Sequence, residues 1–375
     1  MTFWYVWALM VVLCYCIFLL YCLAHTNAMP LIKSKRISDG PHLAVLVSVY
    51  NGEKVLGPMF EFLRHQNYPP ECWTLFITDD GSSDDTFNCI LKLKAKMPCS
   101  VVVFQNLKPA GKKYNIQFMA ERVTSKWILT LDSDGFSKNN KFLKSRVHYA
   151  ETQNLDFSAG AITYTSGASR LLFHFQSIEH AVLHVLTHSA FNFKKPYLCS
   201  GANLLYKTDI FQKVGGLRSH MQISSGDDVL LLNAFKKYGA KMGFDAQEAS
   251  QIQVLAPHTW RQFWKQKIRW ASKSKYNSNL YNLLIASTVW MTSLIVLILP
   301  YMLWNSEHRQ MVFLPLLIKM AIEFVIYRIY LYKQNIHYTF SLTPFLVLAI
   351  YPLYVLIIGF VSMLSPVTQK VGPGW

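Results

Sequence analysis

The sequence predicts an α/β fold, a mostly parallel sheet flanked by helices, on a chain that is otherwise embedded in a membrane. Three observations predict it. Between residues 43 and 132, short runs of near-continuous apolar residues alternate with helix-length amphipathic segments. Long uncharged stretches lie before and after that region. The whole chain of 375 residues has a formal net charge of +16, with 52% hydrophobic and 14% aromatic residues. That is too apolar for a disordered tail and too long for one small soluble domain.

The first element is the uncharged run "FWYVWALMVVLCYCIFLLYCLA" (3–24), long enough to cross a hydrocarbon core of about 30 Å. No Lys or Arg precedes it, so residues 1–25 read as a retained anchor rather than a cleaved signal peptide. Lys33, Lys35 and Arg36 follow at once, and the positive-inside rule then places the next segment in the cytoplasm and the N-terminus outside. The chain has seven cysteines, three of them (Cys14, Cys16, Cys22) in this run and none in a CxxC pair. A reducing compartment follows, with neither a disulfide framework nor a structural zinc site.

Residues 41–257 have soluble composition. The runs "LAVLVSVY" (43–50), "TLFITDD" (74–80), "SVVVFQ" (100–105) and "KWILTLD" (126–132) read as strands buried on both faces. Helical segments at 53–66 and 84–97 separate the first three, and the β-α-β-α-β order predicts a parallel sheet. Ligands of such sheets bind beyond the carboxyl ends of the strands, where this chain carries "YNGE", "DDGSSDD" and "DSD".

Residues 258–275 hold six Lys or Arg, three Trp and no acid. On a helix, Arg261, Lys265, Arg269 and Lys273 form a stripe opposite Trp260, Phe263, Trp264, Ile268 and Ala271, which predicts an interfacial helix. Three further spans are expected within 279–364, at 280–304, about 311–331 and 338–364, followed by a tail at 365–375. With the N-terminus outside, that tail ends outside too. The middle span carries Lys319, Glu323 and Arg328; the first two are four apart and can pair.

In "TLDSDGF", Asp132 and Asp134 share a face if the backbone is extended, and two such carboxylates suit a hard divalent cation that bridges to phosphates; "DSDG" is equally good turn chemistry. In "TDDGSSDDTF", helix capping explains Ser83, Asp84 and Asp85. It does not explain Asp79 and Asp80 at the strand end, which can accept hydrogen bonds from a base or ribose. "PAGKKYN" offers a turn and adjacent lysines but not P-loop spacing. His180, His184 and His188 line one helical face without a fitting acid motif and read as a packing stripe. The basic residues cluster beside membrane spans and no nucleic-acid module is present, so nucleic acid is not an expected partner. Asp227 and Asp228 head an amphipathic run, "SSGDDVLLLNAFKKYG", where Ser224, Ser225 or Gly226 can cap and either acid can add to the first turn.

In chain order, these motifs resemble the membrane-bound family 2 glycosyltransferases, inverting GT-A enzymes that include cellulose, chitin and hyaluronan synthases. The resemblance covers about residues 43–275. It implies a Rossmann-like GT-A domain at 41–257 and a nucleotide-binding set of Tyr50, Asn51, Glu53, Asp79, Asp80, Lys112 and Asp132, with Lys113 open as the alternative lysine. It also implies a D-x-D motif, Asp132 and Asp134, for Mg²⁺ or Mn²⁺. Gly201, Ala202 and Asn203 would line the sugar pocket, and Asp228 would be the catalytic base beside Asp227. Gln266, Arg269 and Trp270 match Q-x-x-R-W. The implied reaction moves a sugar from a nucleotide sugar, UDP-type expected, to a glycan or lipid-linked acceptor with inversion to a β-linkage. A processive synthase that extrudes its product is the alternative, with a second copy of the chain or a secretion partner completing the channel. A catalytically silent nucleotide-sugar-binding scaffold is the contrasting class.

Overall fold

The structure, a computed structural model, describes residues 2–26, 40–165, 169–221, 226–271, 280–303, 313–334 and 341–364. The expectations for Lys33, Lys35, Arg36, Ser224, Ser225, Lys273 and the tail at 365–375 lie outside the described residues. In chain order the elements are α1 (Thr2–Ala24), β1 (Leu43–Val49), α2 (Leu56–Arg64), β2 (Trp73–Asp79), α3 (Thr86–Lys94), β3 (Ser100–Gln105), α4 (Lys112–Ala120), β4 (Trp127–Asp132), α5 (Phe142–Thr152), β5 (Phe157–Gly160) and β6 (Ile162–Thr165). They continue as α6 (Arg170–Asn192), β7 (Asn203–Lys207), α7 (Thr208–Lys213), α8 (Asp227–Tyr238), β8 (Met242–Asp245), β9 (Ile252–Leu255), α9 (Trp260–Ala271), α10 (Leu280–Leu303), α11 (Leu314–Lys333) and α12 (Thr343–Leu364).

The chain divides into two compact units, one gathering the described residues of 28–165 and 191–255 and the other those of 2–26, 166–190 and 256–364. The first is built on a seven-stranded sheet of order β3-β2-β1-β4-β7-β5-β8. β3, β2, β1 and β4 run parallel, and β7 is antiparallel to both β4 and β5. The four runs read as doubly buried strands are the four parallel strands. Alternation explains the burial: Leu43, Val45, Val47 and Val49 of β1 pack with α2, α3 and α5 on one face, while Ala44 and Leu46 pack with α4, α7 and α8 on the other. The register pairs Val49 with Asp79 and Ser48 with Asp132, so the polar segments that follow these strands emerge along one edge of the sheet.

The antiparallel insertion and the small β6–β9 sheet are features the sequence reading did not predict. Two devices hold them. Gly160 leaves room for Asn203, since a Cβ there would sit 2.2 Å from the Asn203 amide nitrogen. Beneath β5 and β8, Arg146 and Asp245 are fully buried and paired at 3.1 Å, and the guanidinium also donates to the Ser158 hydroxyl and carbonyl at 2.9 and 2.7 Å.

The second unit is helical. α1, α10 and α12 contain segments long and apolar enough to cross a membrane. α11 occupies the place of the middle expected C-terminal span, at about 311–331, but is not among those three apolar helices, because Lys319, Glu323 and Arg328 fall within one stretch of it. Lys319 and Glu323 do pair, at 2.6 and 2.7 Å, and Tyr15 of α1 donates to Glu323 at 2.7 Å. Residues 169–190, expected within the polar domain, fall in this unit. There the α6 rings of His180 and His184 pack on Tyr330 of α11 at 5.6 and 5.8 Å between centroids.

Candidate functional site

The site is assembled at the carboxyl ends of the parallel strands of the polar unit. After β1 and β2 the loops are stitched together: Asn51 N donates to the Ser82 hydroxyl at 2.9 Å, and Ser83 N donates back to the Asn51 side-chain oxygen at 2.9 Å. Asn51 holds a left-handed backbone with φ of 49°, which asparagine tolerates better than most residues. Glu53 N donates to Asp84, and Asp85 N to the Glu53 carboxylate. Helix α3 therefore begins at Thr86, two residues later than the start at residue 84 expected from sequence. Tyr50 sits half-buried at the head of this loop.

Asp79 and Asp80 are both buried. Asp79 accepts from Ser82 N at 3.2 Å. Asp80 accepts from Asn106 at 2.8 Å and from the backbone of Ala110 and Gly111 at 2.8 and 2.9 Å, which fixes the loop that launches α4. Asn106 continues to Asn115 at 2.8 Å, and Asn115 to Ser48 at 2.9 Å. The sequence reading missed this chain of amides; an Asn directly after a strand and another in the first turn of the following helix were its only signal.

That loop delivers Lys112. Its ammonium pairs with Asp132 and lies 3.4 Å from Asp227. Burial alone would lower the Lys112 pKa, but Asp132 and Asp227 outweigh it and hold the amine protonated. The Lys112 ammonium therefore meets two carboxylates, and Lys113 also acts electrostatically on Asp227.

β4 ends at Asp132, and the chain turns at once, with Gly135 N donating to the Asp132 carbonyl at 3.0 Å. The extended D-x-D pictured from sequence is thus a turn. The Asp134 carboxylate accepts a backbone hydrogen bond from Leu255, yet burial and then the charge of Asp132 push its pKa up to about 6. The surplus negative charge of Asp132 and Asp134 fits a divalent cation, which takes oxygen ligands and, as Mg²⁺, keeps room for waters and phosphates. Among the described residues no group of three or more His, Cys, Asp or Glu side chains forms a complete metal cage.

α8 starts after Gly226, in the left-handed region at φ of 82°, without a side-chain cap. Asp228 accepts from Val229 N at 2.8 Å and from Gly201 N at 3.2 Å. Burial and then Asp227 push the Asp228 pKa up to about 6. Asp227 is buried as well, but Lys112, backbone hydrogen bonding and Lys113 together outweigh that and lower its pKa. The two adjacent acids thus shift in opposite directions, Asp227 down and Asp228 up. Gly201 lies against all three groups: a Cβ there would be 3.1 Å from an Asp227 oxygen, 3.2 Å from the Lys112 ammonium and 3.6 Å from the Asp228 Cβ.

Lys112, Asp132, Asp227, Asp228 and Gly201 are thus brought together, with Asp134 electrostatically coupled to them through Asp132. Ala202 and Asn203 are buried, and the Asn203 amide donates to the carbonyls of Ala161 and Ser250 at 3.0 and 2.9 Å. Asn203 therefore acts as a strut beneath the site, not as the pocket lining expected of it. Gln266, Arg269 and Trp270 lie on α9, in the helical unit. The Gln266 side-chain oxygen is buried without a hydrogen-bond partner among the described residues.

Residues 44–215 match the family model described as Glycosyl transferase family 2. EpsE of Bacillus subtilis (strain 168), named as a glycosyltransferase, is 22% identical over 57% of this chain and 73% of its own length. YdaM of the same organism, also named as a glycosyltransferase, is 22% identical over 64% of this chain and 57% of its own. The poly(ribitol-phosphate) beta-N-acetylglucosaminyltransferase TarS of Staphylococcus aureus is 25% identical over 30% of this chain, a match that spans 19% of TarS. Among solved structures, the mannosyltransferase PcManGT from Pyrobaculum calidifontis, in complex with GDP-Man and Mn²⁺, superposes with a TM-score of 0.57 at 12% identity, covering 94% of this chain and 97% of that one. That likeness establishes a GT-A-like fold.

Proposed function

From the match of residues 44–215 to the Glycosyl transferase family 2 model, we propose that this protein is a membrane-bound inverting glycosyltransferase. It takes a sugar from a nucleotide sugar, UDP-type by family resemblance, and places it on a glycan or lipid-linked acceptor in β-linkage. The polar unit faces the cytoplasm and the N-terminus lies outside. The observation that carries the reading is the cluster of Lys112, Asp132, Asp227 and Asp228 at the carboxyl ends of the parallel strands.

Each residue has a task in that reaction. Asp228, basic enough through burial and its neighbour to accept a proton yet ionised at neutral pH, removes the proton of the acceptor hydroxyl. The hydroxyl oxygen attacks the anomeric carbon from the face opposite the nucleoside diphosphate, which leaves, and the configuration inverts. Gly201 N and Val229 N fix the carboxylate so that its remaining lone pairs face the acceptor. Lys112 brings positive charge to the diphosphate as it departs. Mg²⁺ or Mn²⁺ held by Asp132 and Asp134 would supply Lewis-acid stabilisation of the same developing charge. Asp79, Asp80, Asn51 and Glu53 shape the nucleotide end of the cleft. Trp270 offers an aromatic face to the acceptor sugar, with Gln266 and Arg269 beside it.

The test is to incubate membranes containing the protein with labelled UDP- and GDP-sugars and to size the product. Transfer to a single-sugar lipid or glycan supports this reading, and a polymer supports the processive alternative. No transfer from any donor, with nucleotide sugar still bound, points to the silent scaffold and rejects the reading.

A further inference from the structure

The interfacial helix α9 begins with a reciprocal cap: Thr259 accepts from Gln262 N at 3.3 Å, while the Gln262 side chain accepts from the backbone of Thr259 and His258 at 3.2 and 3.0 Å. One face of the helix then turns inward, led by Phe263, which is fully buried. Four residues on, the same face carries a charge, and Lys267 is only 4% exposed. Its ammonium pairs with Glu179 of α6, and Tyr354 of α12 donates to that carboxylate at 2.8 Å. Aromatic rings close around the pair, with Phe175 4.9 Å and Trp264 5.6 Å from the Tyr354 ring centroid. The ammonium also lies 4.4 Å from the centre of the Trp270 ring, which is itself 44% exposed.

A buried ion pair is weak as a source of stability, because a well-packed apolar pair of similar volume does as well or better. A leucine at position 267 would satisfy the burial. What the charge adds is geometry: it ties the rotation of α9 to α6 and α12, and it draws the face of one ring towards a cation.

We propose that Lys267 and Glu179 are positioning residues that hold the Trp270 ring in one orientation, so that its exposed part forms a preformed stacking surface for the acceptor sugar. The stacking role rests on the transferase reading; the orientation of the ring does not. Lys267→Met removes the charge. Tyr354→Phe removes one hydrogen bond to Glu179 and leaves the packing. Lys267→Glu with Glu179→Lys exchanges the charges.

The experiment uses the full chain in lipid nanodiscs with 5-fluorotryptophan at position 270 alone. The ¹⁹F resonance is expected to shift or broaden in Lys267→Met, to move less in Tyr354→Phe, and to return towards the parent in the charge exchange. With cellobiose and chitobiose as acceptor probes, Lys267→Met is expected to raise the acceptor KM roughly three- to fivefold, the scale of a lost cation–π contact, with kcat and donor hydrolysis little changed. A resonance that stays at the parent position in both Lys267→Met and Tyr354→Phe overturns the inference, and so does a loss of kcat with unchanged acceptor KM. If Lys267→Met does not fold, Tyr354→Phe and the charge exchange decide in the same terms. A resonance that moves in a protein whose parent transfers no sugar to any acceptor upholds the ring positioning and rejects the transferase reading instead.

Discussion

At the scale of single residues, two neighbouring acids are shifted in opposite directions. Lys112 lowers the pKa of Asp227, while burial and Asp227 lift that of Asp228 to about 6. A base must be ionised to act, so kcat/KM is expected to fall as pH drops below about 6, tracking protonation of Asp228. Asp227→Asn removes the like charge that helps to raise this pKa, so the acidic limb should move to lower pH; a limb that stays put or moves upward contradicts the assignment. Gly201→Ala would insert a methyl group 3.1 Å from the Asp227 carboxylate and 3.2 Å from the Lys112 ammonium. Displacements approaching 1 Å cost up to about a hundredfold in rate, so kcat should fall roughly ten- to a hundredfold while thermal melting stays unchanged. The sequence motifs single out Asp227, Asp228 and Lys112, and the structure brings these three side chains together around Gly201. Asn203 was not legible in the same way: its motif position suggests a pocket lining but its amide supports Ala161 and Ser250, because a sequence does not say which way a strand end faces.

At the scale of elements, legibility followed the range of the contacts. β1 to β4 were readable because their burial on both faces leaves continuous apolar runs. The two helices between the first three were readable, but both begin later than expected. Val55 N and Leu56 N bond back to Gly52, and Asp84 accepts from Thr86 N at 3.2 Å, so the loops take residues that composition alone would give to the helices. β5, β6, β8 and β9 are four residues each, too short for a periodic signal and paired with distant segments. Arg146 and Asp245, both fully buried, are paired within that part of the fold. Arg146→Met leaves a buried carboxylate without its cation and should destabilise the polar unit by about 3–5 kcal/mol, read as a lowered denaturation midpoint. Replacing both partners with apolar residues should cost less; equal losses for the single and double variants would show that the ion pair is not the cause.

At the scale of the whole molecule, the division of the chain was legible from charge and apolarity at both ends, but the affiliation of α6 was not. Four histidines and Glu179 dilute its apolar pattern, and its place in the helical unit depends on partners such as Lys267, Tyr330 and Tyr354 that lie far away in sequence. Topology turns on α11 in the same way. Its buried Lys319–Glu323 pair and the Tyr15 hydrogen bond satisfy the charges internally, as an intramembrane segment requires. With α11 counted as a span beside the three apolar helices, the expected four crossings would put both termini on the same side. Reporters at Met1 and Trp375 should both read as external; opposite sides would remove α11 from the set of spans. The central claim, that this site transfers a sugar with Asp228 as base, is tested most directly by the Asp228→Asn variant. Transfer from the active nucleotide sugar should fall by about 10²–10⁴-fold, the usual worth of a general base, while nucleotide-sugar binding and thermal melting match the parent. Transfer at the parent rate by a folded Asp228→Asn protein would contradict it.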